Sequence, residues 1–222
     1  LFLLISSGFS AKAQTLGGNA IYSFLKLPFS AQAAALGGRN ISNFEADLSL
    51  LSENPALLKK EHHASFASSF QNIAPTVTGL YGVGAFHQKK INTTFSLGFT
   101  HILYGEEQQT DASGNMLGSF RSYDQSLAVS ASRTYGSRWR YGVTFKLLNS
   151  RYGIFRSTGL ATDMGLSYFD ETKQLQIAFA AKNMGMQINT FGAIAEDLPF
   201  DMVLGMTKQL EKAPIRFSVT AQ

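Results

Sequence analysis

From Ile91 onward the chain places apolar side chains at every second position in segments of roughly ten residues, with small or polar residues between. Only an extended strand uses a period of two, because its successive side chains point to opposite faces. Ile91, Thr93, Phe95, Leu97, Phe99 and Leu103 share one face, and Asn92, Thr94, Ser96, Gly98 and Thr100 the other. The pattern returns over 122–135, 138–150, 158–169, 174–185, 199–209 and 215–222. Ala64 to Phe70 and Val77 to Phe86 read as two earlier strands, the second with a less clear facing.

Alternation alone does not say which face is inside, so the make-up of the polar face decides. It is mostly Ser, Thr, Gly and Ala, with charges at Asp124, Arg138, Arg140, Lys146, Asp163, Lys182, Asp201 and Arg216. A water-facing surface is richer in Lys and Glu. Small residues suit a packed lumen, and the scattered charges of both signs can pair across it. On the apolar face the charged residues are Arg133 and Lys208, both near strand ends. There a charge facing lipid costs about 0–1 kcal/mol, against about 2–4 at the midplane. Tyr123, Tyr135, Trp139, Tyr141 and Tyr168 also fall near strand ends, as an aromatic girdle does. The expected fold is all-β, an antiparallel transmembrane β-barrel rather than a lipocalin-like soluble one.

The connections carry a second signal. His87 to Lys90, Gly136-Ser137, Asp170 to Lys173 and Leu210 to Pro214 are short, whereas Gly105 to Arg121, Arg151 to Ser157 and Met186 to Leu198 are longer. That alternation predicts periplasmic turns and extracellular loops. About nine strands is an odd total for a bacterial barrel, so C-terminal strands are expected beyond Gln222. Charged residues make up 15% of the 222 residues, low beside the usual about 25%. No run of 18 apolar residues suggests a spanning helix. The net charge of +4 is spread thinly, which suits a polyanionic membrane surface better than nucleic acid. The chain has no cysteine.

Leu1 to Ser10 reads as the apolar core of a signal peptide, with Ala11-Lys12-Ala13 as its cleavage site, so 1–13 is expected to be removed. Residues 14–60 form a separate segment. Ser30 is placed to cap a small-residue helix that Gly37-Gly38 stops, and Asn54-Pro55 starts a second short helix. Helices this short are not stable alone in water, so they are expected to form a plug against the barrel of 61–222.

No active site is evident, and no cofactor is expected. His62 and His63 are adjacent and on a strand would face opposite ways. His87 falls in a turn. A lipase-like pair of His101 with Ser96 or Ser126 would need an orienting polar group. Asp111-Ala-Ser-Gly-Asn115 lacks the spaced acids of a calcium loop and reads as a turn. The charges Asp124, Arg140, Lys146, Asp163, Lys182, Asp201 and Arg216 read as a structural network rather than a permeation filter.

Leu27-Pro-Phe-Ser-Ala-Gln-Ala-Ala-Ala-Leu-Gly37-Gly38, Asp47 and Asn54-Pro55-Ala56-Leu-Leu58 resemble the FadL-like barrels, which open with a small-residue helix, an acidic residue and an Asn-Pro-Ala turn. Gly17 to Leu25, Asp111 to Asn115, Gly118 to Phe120, Ser157 to Ala161, Leu198 to Asp201 and Ala213-Pro214 bring the chain closer to the PorV/PorQ branch, on its PorQ-like side. The resemblance implies a barrel of about fourteen strands with an N-terminal hatch, in the outer membrane of a Gram-negative bacterium. It also implies a place in the type IX secretion attachment complex, anchoring a PorZ-like surface protein beside PorU and PorV. There cargo is joined to lipopolysaccharide by PorU, so the barrel itself would be no enzyme. The other function left open is a FadL-like channel for hydrophobic molecules, which would need an apolar pocket beside the hatch and a lateral opening.

Overall fold

The computed structural model describes residues 20–43, 47–192, 194–210 and 215–222. The signal-peptide reading of 1–13, the Gly17-Gly18 stretch and Ala213-Pro214 lie outside the described residues. Beyond the N-terminal segment the chain is one nine-stranded antiparallel sheet whose strands neighbour one another in sequence order. They are β1 (Ser65–Ala74), β2 (Val77–Gln88), β3 (Thr93–Thr110), β4 (Met116–Tyr135), β5 (Trp139–Tyr152), β6 (Phe155–Asp170), β7 (Leu175–Asn189), β8 (Asp201–Gln209) and β9 (Arg216–Ala221). Among the described residues β1 and β9 each pair on one side only. "Near end" denotes the end at which β1 begins, and "far end" the opposite one.

The two faces divide as the alternation requires. Phe95, Leu97, Phe99, Val129, Phe145, Leu147, Met164, Leu204 and Val219 lie exposed on one face. Thr94, Ser96, Thr100, Ser126, Ser130, Thr144, Asp163 and Thr207 are buried on the other. The sheet is therefore the reverse of a soluble one, with its apolar side bare and its polar side covered. What covers it is the N-terminal segment, which runs from Ala20 at the far end to His62 at the near end. No helix among the described residues is long and apolar enough to cross a membrane.

Three sequence expectations need correction. Gly105–Arg121 is not a long loop. β3 and β4 continue as a paired ribbon as far as Thr110↔Met116, and only the tip is a turn. Arg151–Ser157 likewise closes as a hairpin pairing Tyr152 with Phe155. Both faces of this ribbon are exposed over 106–110 and 116–119, so no alternation marks it as strand. The strict short-and-long alternation of connections disappears with these loops. Finally, Tyr123 pairs with Leu103 and Arg151 well inside β4 rather than near an end.

A single irregularity re-aims β7. Between Thr162 and Met164 of β6 the register shifts, so that Asp163 is opposed by both Lys182 and Asn183. Asn183 takes a left-handed conformation at φ 58, which asparagine tolerates better than most residues. Both side chains are buried on the covered face. Every residue after the bulge changes face, which leaves Met186 and Ile188 exposed.

Small residues on the covered face mark where the N-terminal segment lies closest. Gly142 and Gly165 are directly paired across β5 and β6. A Cβ on Gly142 would come 2.5 Å from the Pro55 carbonyl oxygen, and one on Gly165 would collide with Asn54 Oδ1. Gly205 is covered in the same way by Ile41 and Ser42, and Gly159 by Tyr22. We expect Gly165→Val to destabilise the protein by about 1–3 kcal/mol through overpacking. Limited proteolysis should show residues 20–62 becoming cleavable before the strands do. A protease pattern unchanged from the parent would contradict this seating.

Candidate functional site

The site is the seam between the N-terminal hatch and the sheet, and its local folding is set by caps. Ser30 caps α1 (Ala31–Ala35), accepting from the Ala33 amide at 3.4 Å. Gly37 and Gly38 end it at φ 91 and 92, values that glycine adopts without strain. Asp47 accepts from the Ser49 amide at 2.9 Å and opens a 3-10 turn, Leu48–Ser52. Asn54 caps a second, Pro55–Leu57, accepting from the Ala56 amide at 2.9 Å while its Nδ2 donates to the Ile41 carbonyl at 3.1 Å. The helical start expected at Asn54-Pro55 is thus a single 3-10 turn, pinned from both sides of the Asn54 side chain.

The hatch contributes its own apolar core. Phe24, Leu25, Phe29, Leu51 and Leu58 pack with Tyr81, Val83 and Ala85 of β2, Ile102 of β3 and Leu148 of β5. Phe29 and Tyr81 stack with ring centres 5.6 Å apart. The covered face is therefore not uniformly small and polar. Where hatch side chains are apolar, the wall opposite must be apolar too, which is why β2 reads ambiguously. The space left on the β2–β6 side of this seam is a cavity of about 40 Å³, bordered by Ser52, Ser96, Lys146 and Asp163, whereas between the hatch and β9 a pocket of about 930 Å³ opens, lined by Gly38, Arg39, Asn43, Arg216 and Ser218.

Most of the charges expected to face the lumen meet a partner, and several of those partners are on the hatch. Lys146 Nζ lies 2.6 Å from Asp163 and donates to Asn183 Oδ1 at 3.0 Å. The second Asp163 oxygen accepts the Asn183 amide at 2.7 Å, the donor released from the ladder by the bulge. Lys182 pairs with Glu53 of the hatch at 3.3 Å. Asp201 pairs with Arg39, also of the hatch. Arg140 donates to the Ala56 carbonyl at 3.4 Å, and Arg216 to Asn43 Oδ1 at 3.5 Å. Asp124 accepts from three hydroxyls, those of Tyr104, Ser150 and Tyr152. At the far end Tyr22 Oη meets Ser157 Oγ at 2.7 Å, and burial pushes the Tyr22 phenol above its ordinary pKa. The segment between β7 and β8 folds inward over this end, burying Leu198 and giving the Pro199 carbonyl to Asn183 Nδ2 at 3.1 Å.

The histidines build no site. His62 and His63 lie on the entry turn rather than on a strand. His62 Nδ1 accepts the Lys59 amide at 3.0 Å, and His63 Nδ1 accepts the His87 amide at 3.2 Å. His87 belongs to β2 rather than a turn, with Nδ1 2.9 Å from Thr94 Oγ1. His101 sits mid-strand on the outer face between Phe99 and Tyr123. Ser96 and Ser126 are on the covered face, so a nucleophile–base pair with His101 cannot form. Among the described residues no group of His, Asp and Glu side chains is placed to hold a metal ion.

Asp111 closes the β3–β4 turn by accepting from the side chain and amide of Asn115 and the amide of Ser113. These bonds, the Asn115 side chain first, hold its carboxyl below the ordinary range. The sign follows: stability of this exposed tip is present above the unfolded carboxyl pKa and is lost as pH falls through the lower folded value. Amide exchange at Asn115 should accelerate in that acid window, and Asp111→Ala should abolish the dependence.

Sequence reasoning identified the buried charges but not their partners. It missed Arg39, Asn43, Glu53 and Asn183, for which the only signal was polar residues in an otherwise apolar hatch and one Asn in a strand. We expect Asp163→Asn to cost about 3–5 kcal/mol, because it leaves Lys146 buried without its counter-ion. Replacing both by apolar residues of similar volume (Lys146→Met with Asp163→Leu) should cost less than the single change. Denaturant titration of the four-membered cycle measures this, and equal costs for single and double variants would refute the coupling. A scan of protein-family models finds no match to the chain, and neither does a search of curated proteins.

Proposed function

We propose that this chain is the wall and hatch of an outer-membrane β-barrel that serves as an anchor and docking component in type IX secretion, not as an enzyme. The observation that carries the membrane part is the inverted sheet. Its exposed face is Phe, Leu, Val and Met over nine strands, while Ser, Thr and paired charges are buried. In water so large a bare apolar surface would drive association; in lipid it is the stable arrangement. Tyr135, Trp139, Tyr141 and Tyr168 gather at the near end of that face, where an interfacial girdle belongs.

The secretion role rests on the resemblance of the hatch motifs to the PorV/PorQ branch, within which the chain looks most like PorQ. Two features of the molecule agree with it. On the β2–β6 side the seam between hatch and wall is nearly filled, since about 40 Å³ admits about one water and no acyl chain; the larger pocket, of about 930 Å³, lies at the β9 edge. The far-end hairpins expose Met116, Leu117 and Ile154, and the β7–β8 connection exposes Ile194, a surface able to receive a partner. In this reading a PorZ-like protein docks there, alongside PorU and PorV, while cargo is joined to lipopolysaccharide. An uptake channel for hydrophobic molecules through the β2–β6 side of the seam would require the hatch to leave its seat.

Affinity capture of the full protein from cross-linked cell envelopes is expected to recover a PorZ-like surface protein. That recovery should fall when Met116, Leu117 and Ile154 are changed to Ser. Capture without any such partner, together with lipid retained in the lumen, would favour uptake instead.

A further inference from the structure

The two rims of the sheet differ in charge. Among the described residues the near-end turns carry Lys89, Lys90, Arg138 and Lys173, and Arg133 and Lys208 lie on the adjoining strand ends. The acids there are Asp170, Glu171 and, on the entry turn, Glu61, which lies 3.9 Å from Lys60. Asp170 is buried and accepts the amides of its own turn at 3.1 and 3.2 Å. The far rim instead carries Glu106, Glu107, Asp111, Glu196 and Asp197 against Arg121, Arg151 and Arg156, and Arg121 is drawn to Glu106 at 3.6 Å.

The near-end cations are interleaved with aromatic rings over adjacent strands. Arg133 is the cross-strand neighbour of Tyr141, and Tyr135 that of Trp139. Trp139 and Tyr168 touch with ring centres 5.0 Å apart. Arg138 donates to Tyr168 Oη at 3.1 Å and lies 3.7 Å from Asp170, yet its side chain stays 53% exposed. Lys208 faces outward below Met206 and is tethered to the Lys173 carbonyl at 3.2 Å. Rings at headgroup depth with fixed cations beside them match a phosphate lying at the edge of an apolar layer.

We propose that this near-end band binds the headgroup phosphates of anionic glycerophospholipids, with Arg133, Arg138 and Lys208 as the phosphate-contacting cations. The proposal rests on the reading that the outer face lies in lipid. The acid-rich far rim makes the opposite leaflet a poor place for a polyanion, so recognition is leaflet-specific.

Trp139 is the chain's single tryptophan and lies inside the band, so its fluorescence reports occupancy directly. The full protein is reconstituted into vesicles of phosphatidylcholine alone, or with phosphatidylglycerol or lipid A added, each with headgroup-proximal brominated lipid of the added class as quencher. We expect phosphatidylglycerol to quench Trp139 at about ten-fold lower mole fraction than phosphatidylcholine, with the preference shrinking as salt rises. The triple variant Arg133→Gln, Arg138→Gln, Lys208→Gln should lose the preference. Arg133→Lys, Arg138→Lys, Lys208→Arg should keep it, as should the far-rim control Arg121→Gln, Arg156→Gln. Equal quenching by both phospholipids, or a preference surviving the Gln triple variant, overturns the proposal. Stronger quenching by lipid A than by phosphatidylglycerol overturns it too, assigning the band to the other leaflet. Failure to float with any vesicle overturns the membrane reading and this proposal together, whereas flotation without preference overturns this proposal alone.

Discussion

The charges buried between the hatch and strands β2 to β6 have to be answered by protein, because the cavity there holds about one water. That constraint organises the molecule. Lys146 finds Asp163 within the wall, but Lys182 and Asp201 find Glu53 and Arg39 on the hatch. Bringing an ion out of water costs several kcal/mol unless a partner meets it. The hatch is therefore bound to one position and one orientation, and the wall is incomplete without it.

Packing enforces the same placement by a different route. The paired glycines Gly142 and Gly165 leave a flat spot into which the Asn54-Pro55-Ala56 turn drops, and Asn54 closes that turn on itself while reaching Ile41. Opposite, Phe24, Leu25 and Phe29 fill the space before Tyr81 and Val83. Ion pairs supply direction and the apolar cluster supplies the driving force. No helix or 3-10 turn of the hatch has the length to persist by itself, so the wall is what gives the hatch its structure.

Some of this was readable residue by residue. The facing of Phe95, Leu97 and Phe99 against Thr94, Ser96 and Thr100 followed from a period of two, and the inward placement of Lys146, Asp163 and Lys182 from the same count. Ser30, Gly37, Gly38 and Asn54 announced their caps because capping is a local interaction between neighbours. Reading failed where the cause was not local. The ribbon from Gly105 to Arg121 looked like a loop because both its faces are exposed and its residues do not alternate. The bulge at Asn183 inverted the facing of Met186 and Ile188, and nothing in a count of alternate residues foretells an inserted one. The inner face of β2 was obscure because its apolar residues answer a hatch that precedes it in the chain.

The sequence by itself determined which side is apolar in strands such as β3, β4 and β5, and that their polar side is poor in charge. Both follow from composition taken at alternate positions, which holds as long as no bulge interrupts the strand. Only the tertiary structure decided who answers each buried charge, where the hatch sits and which rim is cationic. Those depend on residues far apart in the chain, such as Glu53 with Lys182 or Arg39 with Asp201. Electrostatic pairing acts through space, and sequence order carries no record of it.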